Sequence, residues 1–159
     1  MAFMCDSLPL DEVTPGAYRA LLDLLRVSRS TSRRAQLPAD IRELVCVRAS
    51  QLNGCNVCLD VHIPLAVRAG VAREKLAALE KRRDPPANGA VQWTEAEVAA
   101  LDLAERLTLT ADPRWGNKTE LAQAVARAAE VFSREQIAAL EWTVVTINSF
   151  NRVSILGDL

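Results

Sequence analysis

The chain has 159 residues, of which 50% are hydrophobic and 25% are charged, the balance of an ordinary globular protein with a sizeable core. Its net charge of -1 and its aromatic content of 4% argue against a nucleic-acid partner, because neither a basic surface nor a set of stacking side chains is available. No apolar run approaches the roughly 18 residues that a membrane span needs, so no membrane partner is expected.

The N-terminal segment carries Asp6 and lacks the basic start of a secretion signal, so we expect a cytoplasmic protein. In that compartment, four cysteines favour free, catalytic or metal-bound thiols over structural disulfides.

Apolar residues at helical spacing predict an all-α fold, a bundle of six to seven helices in a single domain over residues 1–159. The polar and basic segment from Ser28 to Gln36 is interpreted as a loop, and Lys81 to Gln92, with Pro85-Pro86 and Asn88-Gly89, as a linker loop. Helices are predicted from Thr14-Pro15 to about Val27, from Pro38 to Asn53-Gly54, from Cys55 to Gly70 and from Arg73 to Leu79.

Three capping patterns predict the starts of the remaining helices. In each of them, a side chain that can cap a helix is followed three residues later by Glu or Gln. The pairs are Thr94 with Glu97, Asn117 with Glu120, and Ser133 with Gln136.

The segment from Cys55 to His62 concentrates the chemistry of the chain, because it places two cysteines and the single histidine in a Cys-x-x-Cys-x-x-x-His pattern. At about 100° per residue, Cys58 and His62 lie within roughly 60° of Cys55 around a helix, so the three side chains share one face. A helix N-terminus near Cys55 favours a thiolate, and an imidazole one turn after Cys58 can exchange protons. The pattern therefore favours thiol redox chemistry.

Other interpretations of this segment stay open. Cysteines are often simply small buried apolar residues, as we expect for Cys46. A structural zinc site would need Cys5, Cys46 or Glu43 as a fourth ligand, because no second ligand pair is present, and we expect no metal. A Ser-His-Asp triad on His62 would lack a recognisable nucleophile turn.

Several motifs together resemble the alkylhydroperoxidase AhpD-like family of the carboxymuconolactone decarboxylase superfamily. The core of the likeness is Arg42-Glu43-Leu44, then Ser50 to Cys55, then Cys58 and His62. Trp93 to Glu97, Ala104 to Thr108, Val131 to Ser133 and Ile147 to Arg152 are also similar to family segments, so the likeness spans roughly residues 15 to 156.

The resemblance implies a role for four residues. Cys58 corresponds to the peroxidatic thiol, Cys55 to the resolving thiol and His62 to the proton relay. Glu43, twelve residues before the first cysteine, corresponds to the proton acceptor. This chain has Val57 where members of the family often have histidine or tyrosine before the second cysteine. Arg48, Asn148 and Arg152 are interpreted as braces between helices.

The implied function is that of a thiol-dependent alkyl hydroperoxidase or a disulfide reductase in antioxidant defence. The resemblance implies no bound cofactor, an external dithiol reductant such as a lipoyl-bearing protein, and a peroxiredoxin or lipoylated protein as partner. It also implies a homo-oligomer, either a trimer or a hexamer. The alternatives are a carboxymuconolactone decarboxylase-type enzyme, which has little need for a Cys-x-x-Cys pair, and a non-enzymatic redox-sensing or metal-binding module.

Overall fold

The computed structural model of the protein describes residues 8–82, 91–114 and 116–157. Within these ranges all regular structure is α-helical, as predicted, and there are eight helices rather than six to seven, because the short α1 precedes the first predicted helix. The helices are α1 Leu10–Val13, α2 Pro15–Arg34, α3 Ala39–Asn53, α4 Asn56–Arg68, α5 Arg73–Leu79, α6 Glu95–Thr108, α7 Lys118–Ala129 and α8 Arg134–Gly157.

The predicted helix starts are confirmed by their capping contacts. At α6, Thr94 and Glu97 form the reciprocal pair of a capping box, and the Asn117 side chain accepts from the Glu120 backbone N–H at α7. Ser133 and Gln136 exchange two such bonds, of 3.0 and 3.2 Å, before α8. Local sequence therefore determines where these helices begin. Most of the predicted linker, residues 83–90, lies outside the described residues.

The predicted loop from Ser28 to Gln36 is wrong, because α2 continues to Arg34. The Ser32 hydroxyl donates to the Ser28 carbonyl at 3.0 Å and lies 3.5 Å from the Thr143 hydroxyl of α8. Both serines are buried. The Ser32 hydroxyl is therefore satisfied beside a helix–helix contact that a composition argument cannot detect.

Helix α3 lies at the centre of the molecule, where it packs against α4, α6 and α8. Every residue from Glu43 to Ser50 is buried. One apolar cluster joins α3 to α6, α7 and α8, and a second joins it to α4, α5 and α6. A functional group on α3 is consequently held by packing on several sides. None of the helices in the described ranges combines the length and apolarity needed to cross a bilayer.

Arg48 and Asn148 act as braces in the described structure, as expected. The Arg48 guanidinium donates to Glu105 of α6 at 2.7 Å and to the Leu79 carbonyl at the end of α5 at 2.9 Å. Asn148 of α8 accepts from Asn53 of α3 and donates to Thr108 of α6, each at 3.0 Å. Arg152 in turn donates to Asn148, at 3.0 Å from its side-chain oxygen.

We expect Glu105→Gln to lower the free energy of unfolding by about 3 kcal/mol, because it removes the carboxylate that offsets the buried Arg48 charge. Asp23→Asn, which breaks the exposed Asp23–Arg26 pair, is the matched control and should cost less than about 1 kcal/mol. Urea denaturation at pH 7 measures both values. Equal losses in the two variants would contradict a stabilising role for the buried pair.

Candidate functional site

The turn between α3 and α4 places both cysteines of the Cys-x-x-Cys pattern. Gly54 ends α3 with φ of 71°, a left-handed conformation that glycine adopts without strain. The Cys55 backbone N–H then donates to the Ser50 carbonyl at 3.0 Å. Cys55 is the N-cap of α4, and Cys58 lies in its first turn. The helix boundary predicted at Asn53-Gly54 is therefore confirmed.

Cys55 and Cys58 are joined by a disulfide, with Cα atoms 5.3 Å apart. Both residues are buried, with exposed fractions of 2% and 6% respectively. The pair spans the start of a helix, where the macrodipole stabilises a thiolate once the bond is reduced. This part of the chain thus holds one short-range disulfide at the start of a helix.

Glu43 of α3 and His62 of α4 meet across the interface between the two helices. The Nδ1 atom of His62 lies 2.9 Å from one carboxylate oxygen of Glu43, and both side chains are largely buried. The other carboxylate oxygen accepts from Arg42 at 3.0 and 3.1 Å. Glu43 therefore fixes the orientation of the imidazole and leaves its Nε2 atom available to another partner.

Opposing effects act on the Glu43 carboxyl. Burial is the largest and raises its pKa, because the charged form loses water. The hydrogen bonds and charges of His62 and Arg42 lower it, and together they hold the pKa below its ordinary value of 4.5. Glu43 is consequently a carboxylate at neutral pH, able to stabilise positive charge on the imidazole.

A cavity of about 220 Å³ opens onto this group of residues. Glu43, Cys58 and His62 line it, whereas Cys55 does not. The structure therefore brings three of the four predicted site residues to the cavity wall. The fourth, Cys55, is buried outside that wall and is bonded to Cys58. The remaining walls come from α2, α3, α4 and α8: Leu25, Ser28, Arg29, Arg42, Cys46, Val57, Val61, Thr143, Thr146, Ile147, Phe150 and Ser154.

Two wall residues, Cys46 and Arg29, were not expected in the site. Cys46 is buried and free, as predicted for a small apolar residue, but it also faces the cavity. Burial raises the pKa of its thiol far above the usual range, and the negative charge of Glu43 adds to this effect. Cys46 lies one helical turn after Glu43 on the same helix, and this spacing is the signal that could have placed it here.

Within the described part of the chain, Glu43, Cys46 and His62 form the group of side chains that could hold a metal ion. Their ligand atoms all lie within 4.8 Å of one another. The Arg42 guanidinium occupies one carboxylate oxygen of Glu43, and its positive charge opposes a cation at this position. Cys55 and Cys58 are committed to their disulfide, so the zinc set considered from the sequence is not assembled in this form.

The sequence of the chain matches one protein family. The model described as the carboxymuconolactone decarboxylase family matches residues 15–106, more than half of the chain. The chain belongs to this family. The matched range contains the four predicted site residues Glu43, Cys55, Cys58 and His62, while the cavity wall from α8 lies beyond it.

Two relatives match the chain over most of their own length. It is 28% identical over 144 residues to the uncharacterised protein YdfG of Bacillus subtilis, covering 91% of this chain and 88% of the relative. A crystal structure of a protein of unknown function from Agrobacterium tumefaciens, provisionally named as the antioxidant defence protein AhpD, superposes with a TM-score of 0.76 at 23% identity. That match covers 94% of this chain and 92% of the other. The AhpD-like fold expected from the sequence is therefore confirmed.

The lowered pKa of Glu43 predicts the pH dependence of its contribution to stability. Because the pKa is lower in the folded chain than in the unfolded chain, the carboxylate stabilises the fold above about pH 4.5, and this contribution is lost as the pH falls through the lowered pKa. We expect Glu43→Gln to reduce the free energy of unfolding by about 1–3 kcal/mol at pH 7. The difference from wild type should shrink below about pH 4.5.

Urea titrations of the two proteins between pH 3 and pH 8 measure this difference. Glu12→Gln, at an exposed position on α1, controls for the loss of a carboxylate as such. A difference between wild type and Glu43→Gln that stays constant down to pH 3 would show that the charge of Glu43 contributes nothing.

Proposed function

We propose that this protein is a dithiol oxidoreductase that reduces organic hydroperoxides, with Cys58 as the attacking thiol and Cys55 as the resolving thiol. The observation that carries the proposal is the position of Cys58. It is bonded to Cys55 behind it and shares an apolar-walled cavity with the His62–Glu43 pair in front of it. A hydroperoxide entering that cavity meets Cys58 and not Cys55.

The first step begins with the reduced pair. The Cys58 thiolate attacks the terminal oxygen of the hydroperoxide, the O–O bond breaks, and the alkoxide leaves as an alcohol after gaining a proton. Cys58 becomes a sulfenic acid, so sulfur is oxidised by two electrons while the peroxide is reduced by two. His62 accepts the Cys58 proton at Nε2 and returns it to the leaving alkoxide, while Glu43 stabilises the imidazolium through Nδ1.

The second step forms the disulfide seen in the structure. The Cys55 sulfur attacks the Cys58 sulfenic acid, the S–O bond breaks, and water leaves. An external dithiol then reduces the Cys55–Cys58 bond through a mixed disulfide. A lipoyl-bearing protein suits this role, and the same exchange run toward a peroxiredoxin would make the protein a disulfide reductase.

The family name points to a second reaction, the decarboxylation of a lactone. The His62–Glu43 pair could move the proton that such a reaction requires, but a reversible Cys55–Cys58 bond has no part in it. The disulfide therefore favours redox chemistry. A non-enzymatic redox sensor would keep the disulfide but would show no turnover with a recycling dithiol.

Assembly into a homo-oligomer, a trimer or a hexamer, stays a prediction, as does a cytoplasmic location. Support for assembly comes from Trp142 and Val145, three residues apart on α8, whose exposed fractions are 50% and 44%. Apolar side chains of this size on one helix face favour contact with another chain.

We expect one equivalent of cumene hydroperoxide to remove two of the four thiols of the fully reduced chain, with a Cys55–Cys58 bond found by mass spectrometry. Cys58→Ser should lose no thiols. Cys55→Ser should lose one and give a sulfenic acid that dimedone traps. Cys46→Ser is the matched control and should behave as wild type. Four thiols unchanged in wild type would overturn the peroxidase proposal.

His62→Gln should lower kcat/KM for cumene hydroperoxide by about 10²-fold or more, because it removes the proton relay beside Cys58. Disulfide formation by a small-molecule oxidant such as diamide should still occur, since the two cysteines remain in place. Stopped-flow peroxide consumption with dithiothreitol as the reductant measures the rate. A variant with unchanged kcat/KM would remove His62 from the mechanism.

A further inference from the structure

One positive charge in the cavity wall has no counterpart among the described residues. Arg29 of α2 lines the cavity, and among the described residues its guanidinium makes no ion pair or hydrogen bond. This differs from Arg26, one turn earlier on the same helix, which pairs with Asp23. An arginine carries five N–H donors arranged to bind a planar anion, so a guanidinium at a cavity wall is prepared for such a ligand.

The other charged groups of the cavity compensate one another. Arg42 donates twice to Glu43, whose second oxygen faces His62. Among the described residues that line the cavity, Arg29 therefore leaves a surplus of one positive charge when the disulfide is closed. The positive charge of Arg29 also acts on Cys46, another residue of the cavity wall. Together with Arg42 it opposes the rise in the pKa of the Cys46 thiol.

The rest of the cavity selects for a small organic molecule. Leu25, Val57, Val61, Ile147 and Phe150 supply apolar wall. The volume of about 220 Å³ is below the roughly 300–1,000 Å³ of clefts that bind drug-sized ligands. A compact apolar body with one anionic group would match both the wall and the surplus charge.

We propose that the preferred substrates are organic hydroperoxides that carry a carboxylate, with the carboxylate on Arg29 and the peroxide group at Cys58. The part of this inference that places a peroxide group at Cys58 rests on the proposed function. The part that places a small organic anion at Arg29 rests only on the charge and the lining of the cavity. Arg29 is then a specificity-determining residue on α2, in the wall of the same cavity that Cys58 of α4 lines.

A competing role for Arg29 would be to stabilise the Cys58 thiolate. That role would change the rate for every hydroperoxide equally, whether or not the substrate carries a charge. Comparing an acid with its methyl ester separates the two roles, since the esters differ from the acids at a point remote from the reacting oxygen.

The test uses cumene hydroperoxide bearing a para-carboxylate, together with its methyl ester. For wild type we expect kcat/KM to be about tenfold higher for the acid than for the ester, the size of one charge-assisted contact. Arg29→Met should reduce this ratio to about one, mainly by raising KM for the acid. Arg29→Lys should restore most of the preference. Arg33→Met, one turn along α2 and outside the cavity, should leave the ratio unchanged.

Binding of 4-isopropylbenzoate to the oxidised protein gives a readout that needs no turnover. Calorimetry should show binding about tenfold weaker in Arg29→Met than in wild type or Arg33→Met. If neither hydroperoxide is consumed, the peroxidase proposal fails, and the calorimetry alone decides the role of Arg29. Equal kcat/KM for acid and ester in wild type, or equal binding by wild type and Arg29→Met, would overturn the inference about Arg29.

Discussion

The contact between Glu43 and His62 is the constraint around which the candidate site is organised. A carboxylate with so little access to water must be paired, and here the imidazole of α4 and the guanidinium of Arg42 supply the pairing. The same contact joins the central helix α3 to the helix that carries Cys58. Gly54 makes this possible, because the chain must reverse sharply to bring the two helices side by side. The orientation of the relay and the position of the thiol are therefore consequences of one interface.

The stability of that interface depends on polar contacts at some distance from the chemistry. Arg48 lies on α3 six residues after Arg42, and its guanidinium bonds to Leu79 of α5 and Glu105 of α6. The two arginines thus serve different sides of the same helix. One adjusts the charge of the cavity, and the other anchors α3 in the core. Family membership accounts for the fold that places the two arginines. The chemistry of the site depends on the particular side chains in the cavity.

Much of the fold could be predicted from local sequence, and much of the site could not. Helix α5 has the predicted bounds, and Thr94, Asn117 and Ser133 mark helix starts through contacts only three residues long. The same reasoning failed at Ser32, because its Thr143 neighbour lies on α8, more than a hundred residues away. Glu43 and His62, nineteen residues apart, were linked only through family resemblance. Arg29 carries no local signal of the cavity, since tertiary packing alone brings α2 to it, and Cys46 carries only its spacing of one helical turn from Glu43.

Cys46 has a consequence for the fidelity of the disulfide. A third sulfur faces the cavity that holds Cys58, and thiols so placed can ordinarily scramble a neighbouring disulfide. Burial and the charge of Glu43 raise the pKa of Cys46 and keep it protonated, and a thiol is a poor nucleophile. The folded environment thus keeps the Cys46 thiol protonated and protects the disulfide from attack by it. In the proposed reaction, each cycle of oxidation and reduction would then return to the same pair of cysteines without an isomerase to correct mispairing.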